Sequence, residues 1–288
     1  MEQVAGPPGC GDVDLSTTVT RLNRIKAKNR ARLANSELTR AFLDSGLALT
    51  TEVFSEASLA LAEGEVSPTL AYLSRSRVLS RAQEDYPELV PTEAKFRDRW
   101  AGHQDFVEDF VAYALFARHC SLRRAIAEWS GELLEAETDF ATAVHRVAYE
   151  GSQLVLKLPA YRLQLLAISS VAADPQVSLA IKRMYESLTA DWFELFGHVA
   201  ETFGFGLRRG VSPREINVIL QAVTEGFGIR LLAGLDEPLL DDERRESLLG
   251  TAALALFVSL TDNGDGLTIE GAANGQFSRF SLNRKGTS

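Results

Sequence analysis

Apolar residues recur every three to four positions along most of this 288-residue chain. That is the period of an α-helix. From Ser36, "SELTRAFLDSGLALTTEVF" puts Leu38, Phe42 and Leu43 on one side, and Val53, Phe54, Ala57 and Leu61 continue the series past a weak point at Thr50–Thr51. Ser67–Pro68 offers an N-cap followed by a first-turn proline, so a helix is predicted through "TLAYLSRSRVLSRAQ". Pro87 and Pro91 bracket a break before a short helix ending at Trp100, and a long helix is predicted over 103–127. Further helices are predicted over 130–157 and 160–172, after the Asp174–Pro175 cap, after Ser212-Pro213-Arg214-Glu215, and over 241–262. The Ser212–Glu215 tetrapeptide has the form of a capping box with proline at its first turn. No period-two strand pattern and no fixed repeat is visible, so the expected fold is all-α.

Composition agrees: 45% of residues are apolar, enough for one or two domains with a core. No run of about 18 apolar residues marks a membrane span, and the N-terminus lacks the pattern of a secretory signal. Only Cys10 and Cys120 occur, so no disulfide framework is expected and a cytoplasmic setting is. The net charge is −9, but "RLNRIKAKNRAR" (21–32) carries six basic residues and no acid. The acidic excess lies mainly beyond residue 100. Residues 1–20, rich in Gly, Pro, Ser and Thr, are expected to be disordered, and the tail 263–288 to be flexible.

Motifs of enzyme chemistry are absent: no phosphate-binding Gly-rich loop, nucleophile elbow or H-E-x-x-H occurs. No catalytic residue, metal or cofactor is expected. Glu194, His198 and Glu201 share a helical face, which reads as a solvated trio rather than a metal site. "TDNGDGLTIEGAA" lacks the acidic first ligand and the closing Glu of a calcium loop and is read as a turn. His119–Cys120 reads as a buried thiol beside a histidine.

The stretch "PTEAKFRDRWAGHQDF" carries the functional signal. Phe96 and Trp100 are four apart and share a helical face, so they are expected to tuck inward and leave Lys95, Arg97 and Arg99 outward. That face, opening at Thr92, suits a major groove. Arg75, Arg77 and Arg81 on the preceding helix suit phosphates. A solvated face on a bundle helix is the competing reading.

"KFRDRWAGHQDFV" resembles the end of the helix-turn-helix of TetR-family transcriptional regulators, with Trp100 at the closing aromatic position and Ala101-Gly102-His103 as the turn. "LALAEGEVSPTLAYLSRS" resembles the end of the family's first helix, its turn and its second helix. "AADPQVSLAIKRMYESLTADWFELF", "GLRRGVSPREINVILQAVTEGFGIRLLAG" and "LDDERRESLLGTAALALFVSL" resemble its ligand-binding and dimerisation half. Three departures stand out: Arg97 replaces the usual Tyr, His103 the usual Lys, and "QEDYPELVPTE" is longer and more acidic than the usual turn between the second and third helices. Composition and charge set apart a disordered, basic arm at 1–35; the resemblance implies a helix-turn-helix DNA-binding domain at 36–101 and a ligand-binding and dimerisation domain at 102–262. It implies a homodimeric repressor that binds a double-stranded operator, with His103, Arg24, Lys26 and Lys28 added to the phosphate contacts. Ile216, Leu220, Val223 and Phe227 on one helix, and Leu249, Ala253 and Phe257 on another, are the expected dimer face. Trp129, His145, Tyr149, Tyr161 and Trp192 are the expected lining for an apolar or aromatic effector. The alternative is a helical ligand-binding or protein-interaction module of the same fold without DNA affinity.

Overall fold

The computed structural model describes residues 13–23, 26–54, 71–135, 139–170, 175–235 and 238–285. The chain is all-α. Among the described residues the helices are α1 (Ala27–Ala34), α2 (Glu37–Val53), α3 (Arg75–Asp85), α4 (Glu93–Arg99), α5 (His103–Glu135), α6 (Phe140–Lys157), α7 (Pro159–Ser170), α8 (Pro175–Phe203), α9 (Pro213–Leu232), α10 (Leu248–Leu260) and α11 (Ile269–Lys285). A two-residue antiparallel pair, β1 (Leu240–Asp241) with β2 (Glu246–Ser247), precedes α10.

Two compact units are present. The first comprises the described residues up to Arg124 together with Lys157–Leu188; the second comprises Ala125–Leu156 and the described residues from Thr189 onward. The expected boundary at residue 101 is therefore not where the chain divides. The division falls inside α5, a continuous helix whose first part belongs to one unit and whose last part belongs to the other.

In the first unit the core is an aromatic cluster. Phe42, Phe96, Trp100, Phe106 and Phe110 are all fully buried. Phe96 lies 5.2 Å from Phe42 and 5.1 Å from both Trp100 and Phe106. Such pairs add about 0.5–1.5 kcal/mol each beyond their area burial. α2 supplies Phe42 because Leu38, Phe42, Ser45 and Leu49 recur at helical spacing on its buried side. Ser36 caps it by accepting the N–H of Thr39. The expected weakness at Thr50–Thr51 does not break it: both hydroxyls donate to the carbonyls four residues back. At Gly46 a Cβ would sit 2.6 Å from the Phe110 ring. Only glycine lets α2 approach α5 that closely.

The expected disorder of residues 1–20 is corrected over 13–20, residues 1–12 lying outside the described residues. Leu15, Val19 and Leu22 are buried, and α1 is a helix rather than a loose tail. The strap 13–23 is held by the carboxylate of Asp109, 1% exposed. Its Oδ1 accepts the backbone N–H of Thr20 and Arg21 at 2.8 and 2.9 Å. Its Oδ2 accepts the indole N–H of Trp100 at 2.9 Å. Composition hid this segment: three well-spaced apolar residues among Gly, Ser and Thr suffice once a buried acceptor waits for the backbone.

The second unit is built on Ile126, Trp129 and Leu133 of α5, Ala143 and Val147 of α6, and Leu195 and Val199 of α8. A Cβ at Gly250 would lie 2.9 Å from the Cα of His145, so α10 crosses α6 at backbone range. The Ser212–Glu215 capping box is formed as expected. Four boundaries differ from the sequence reading. α3 begins at Arg75, after a 3-10 turn over Ala71–Leu73; Ser67 and Pro68 lie outside the described residues. α5 runs unbroken to Glu135, with the Ser130 hydroxyl donating to Ile126 O. α10 starts at Leu248 because Ser247 caps Gly250 N–H after the hairpin. The tail expected to be flexible is helical over Ile269–Lys285.

Two buried acids set a pH dependence. Asp44 accepts the Tyr113 hydroxyl at 2.6 Å. Burial pushes its carboxyl up to about 6, and burial does the same to Asp109, against a free value of 3.8. Each folded-state acid therefore binds its proton more tightly than the unfolded chain does. The stabilisation is absent well above pH 6, grows as pH falls through 6 and is complete below about 4. Asp14, Glu215, Asp265 and Glu270 are held below their ordinary values and act in the opposite sense, but only at the acidic end of that range. Urea unfolding is expected to show higher stability at pH 5 than at pH 7.5, by about 1 kcal/mol per raised acid. Asp44→Asn should remove about half of that difference; equal or lower stability at pH 5 contradicts it.

Candidate nucleic-acid interface

α4 has seven residues, too few to hold together in water unaided. Thr92 caps it, its Oγ1 accepting the Lys95 N–H at 3.2 Å, and Glu93 favours the positive end of its dipole. The inward pair Phe96 and Trp100 then pins it to the core, as the sequence predicted. Before it, the turn from α3 places Val90 at φ 49°. A β-branched residue in the left-handed region costs about 1–2 kcal/mol. Side chains hold the turn nonetheless: Lys95 Nζ donates to Leu89 O and Val90 O at 3.0 and 2.9 Å, and Gln83 donates to Pro91 O at 3.0 Å.

The expected cationic face is not assembled as predicted. Arg99 is 7% exposed. Its guanidinium donates to Thr39 Oγ1 at 2.9 Å and to Lys95 O at 2.8 Å, and lies 5.9 Å from the Phe42 ring. Three residues beyond Phe96, Arg99 shares the buried side of so short a helix. Lys95 is spent on the turn carbonyls. Arg97 stays exposed but pairs with Glu93 at 2.6 Å. Arg75 reaches the same Glu93 oxygen at 3.4 Å and lies over the Phe96 ring at 5.7 Å. Arg81 pairs with Asp85 at 2.6 Å and with Glu52. His103 stacks on Phe106, and burial, then Arg75, hold its imidazole below the usual value. It is a weaker base than a free imidazole and so a poorer source of positive charge. Arg77 is exposed. The outward residues of α4 are Glu93, Ala94, Lys95, Arg97 and Asp98, which carry no net charge.

Among the described residues, basic side chains without an ion-pair partner lie at α1 instead. Lys26, Lys28 and Arg32 are exposed, and no acid stands in its first turn. Arg24 lies outside the described residues.

The expected effector set is divided between the two units. Tyr161 belongs to the first unit, where Arg118 covers its ring at 5.0 Å. Trp129, His145, Tyr149 and Trp192 belong to the second. There Trp129 is core, donating to Glu150 at 3.2 Å and stacked 6.3 Å from Trp192, which in turn stacks 5.7 Å from Phe196. Tyr149 donates to Asp242 at 2.7 Å and, with Arg245–Glu150 at 2.5 Å, ties the hairpin to α6. His145 takes the close crossing of α10.

The dimer residues are shifted in phase. Leu249 is buried, and Ile216, Leu220, Val223, Phe227, Ala253 and Phe257 are half-buried. Phe257 packs 5.1 Å from Phe140 and 4.9 Å from Phe205. Outward instead lie Val218, Ile219, Ala222 and Ile229 of α9, with Leu248, Ala255 and Val258 of α10. Val258 is 69% exposed.

Among the described residues no group of His, Cys, Asp and Glu forms a metal site, and His198 is exposed. In the rejected calcium loop, Asp265 pairs with the buried Arg208 at 2.8 Å. Cys120 is not the free thiol expected but is disulfide-bonded; pairing is a matter of tertiary distance that spacing does not reveal. The cytoplasmic expectation drawn from the cysteines loses that premise. Asp109 was missed by the sequence reading. The legible sign was an acid on the Phe106, Phe110 and Tyr113 stripe.

No family model, no curated protein and no solved structure matches the chain.

The two arginines of α4 separate cleanly by role. Arg99→Met is expected to destabilise the chain by about 2–4 kcal/mol, since it removes a buried charged donor from two acceptors. Arg97→Met is expected to stay within about 0.5 kcal/mol of wild type. Chemical denaturation of the two variants measures this; equal costs contradict the assignment.

Proposed function

We propose that this chain is a homodimeric DNA-binding transcriptional regulator resembling the TetR family, acting as a repressor under control of a small apolar or aromatic effector. The carrying observation is α4 itself: a short helix anchored by Phe96 and Trp100, joined to α3 by the connection 86–92, with Glu93, Ala94, Lys95, Arg97 and Asp98 exposed. A helix so presented fits a major groove. Glu93 bridges Arg75 and Arg97 much as a phosphate oxygen would. Exposed ion pairs are worth about 0–1 kcal/mol, so duplex DNA displaces this one at little cost. Arg77 and the cations of α1 add phosphate contacts.

A dimer follows from α9 and α10, which pack on each other. No charged residue occurs in Leu248–Leu260, yet Leu248 and Val258 are largely exposed. A helix apolar on all sides belongs in an interior, and a second copy related by twofold symmetry supplies one. For the effector, the Trp129–Trp192–Phe196 ladder offers stacking surface and Glu150 a polar handle. A bound ligand alters operator affinity only by favouring one of two states.

The second reading, a helical ligand-binding or protein-interaction module without DNA affinity, is favoured by the zero net charge on the outward side of α4. A mobility-shift titration with the DNA upstream of the protein's own coding sequence separates the two. Arg97→Ala is expected to weaken the shift and Glu93→Gln to strengthen it; no shift with any of the three proteins supports the second reading. Ile229→Glu with Val258→Glu is expected to convert dimer to monomer in sedimentation velocity. A wild-type monomer at micromolar concentration removes the dimer from the proposal.

A further inference from the structure

α1 is a helix against its own local interest. Lys26 stands at its N-cap without a side-chain cap, and no acid relieves the positive end of its dipole. Lys28 and Arg32, four apart, put like charges on one outward side, an arrangement that destabilises an isolated helix. Neither forms an ion pair with another described residue. Eight residues of this kind do not stay helical alone.

Tertiary bonds supply what the segment lacks. Ahead of α1, the Asn23 N–H donates to Arg99 O at 2.6 Å. Behind it, Asn35 accepts the Leu15 N–H at 2.8 Å and donates to Ala31 O at 3.0 Å. The Ser36 and Thr39 hydroxyls donate to Leu33 O at 2.8 and 2.7 Å. Those two hydroxyls are also the ones that meet the Arg99 guanidinium, at 3.4 and 2.9 Å. The excursion from Asn23 to Ser36 therefore leaves from Arg99 and returns to it. α1 spans about 12 Å between these two attachments.

We propose that α1 is a preformed backbone-binding helix for duplex nucleic acid, that Lys28 and Arg32 neutralise phosphates without reading sequence, and that Arg99 is the positioning residue that holds α1 beside α4. The proposal rests on the DNA-binding reading of α4 and gives its electrostatic part to a different element. It replaces a flexible arm entering a groove with a fixed pair of charges on the duplex rim. Retaining like charges four apart on a helix fastened at both ends serves a polyanion.

Fluorescence anisotropy of the full chain with a mixed-sequence DNA duplex, repeated over a salt series, tests it. Each phosphate contact contributes roughly −0.9 to the log–log salt slope. Lys28→Gln with Arg32→Gln, both surface changes, is expected to reduce the slope by about 2, and Arg97→Ala by about 1. Arg99→Met is expected to reproduce the loss and to speed hydrogen exchange across residues 27–34, with Arg99→Lys restoring part of both. If the Lys28/Arg32 variant keeps the wild-type slope while Arg97→Ala lowers it, the role of α1 is overturned and the α4 reading stands. If wild type ignores the duplex at every salt concentration, both fall. Binding to phosphatidylcholine–phosphatidylserine vesicles in place of the duplex assigns α1 to a membrane surface and also overturns the proposal.

Discussion

One interaction organises the first unit: the burial of Phe96 and Trp100 against Phe42 and Phe106, with the Trp100 indole N–H satisfied by Asp109. A seven-residue helix gains too little from its own hydrogen bonds to persist. The aromatic pair converts it into part of the core. Asp109 then does a second task, because its other oxygen gathers the backbone of the N-terminal strap. The same carboxylate thus ties the strap, the end of α4 and the long helix α5 together. Its burial costs free energy, which is why its proton is held so much more tightly than in the unfolded chain.

The fate of the arginines follows from that anchor. Once Phe96 and Trp100 point inward, position 99 lies beside them, and only a side chain able to bond several oxygens can be buried there. Arg99 fits, with hydroxyls from the start of α2 and a carbonyl of its own helix. The cation on the opposite side, Arg97, remains in water and shares Glu93 with Arg75. Two arginines two residues apart have thereby become a structural clasp and an exposed contact.

The second unit repeats the theme with different chemistry. Trp129 is taken up by packing, Trp192 stacks half-buried against it, and Gly250 lets α10 ride against His145. What is left outward on α9 and α10 is apolar over a continuous stripe, offset from the stripe that packs inward. An apolar surface of this kind is costly in water.

The all-α fold, the capping box at Ser212 and the inward turn of Phe96 and Trp100 were legible in the sequence, because helix period, caps and strong aromatic spacing act within a few residues. The tertiary structure alone decided the rest. Whether Leu220 or Ile219 faces the interior of α9 is a phase difference of about 100°, which a helix with apolar residues on both sides does not settle locally. Whether Arg99 is solvated or buried depends on hydroxyls sixty residues away at Ser36 and Thr39. Whether residues 13–23 are loose depends on a carboxylate at 109. Each of these outcomes is set by contacts between distant segments, where small local preferences are outweighed by what the neighbouring element offers.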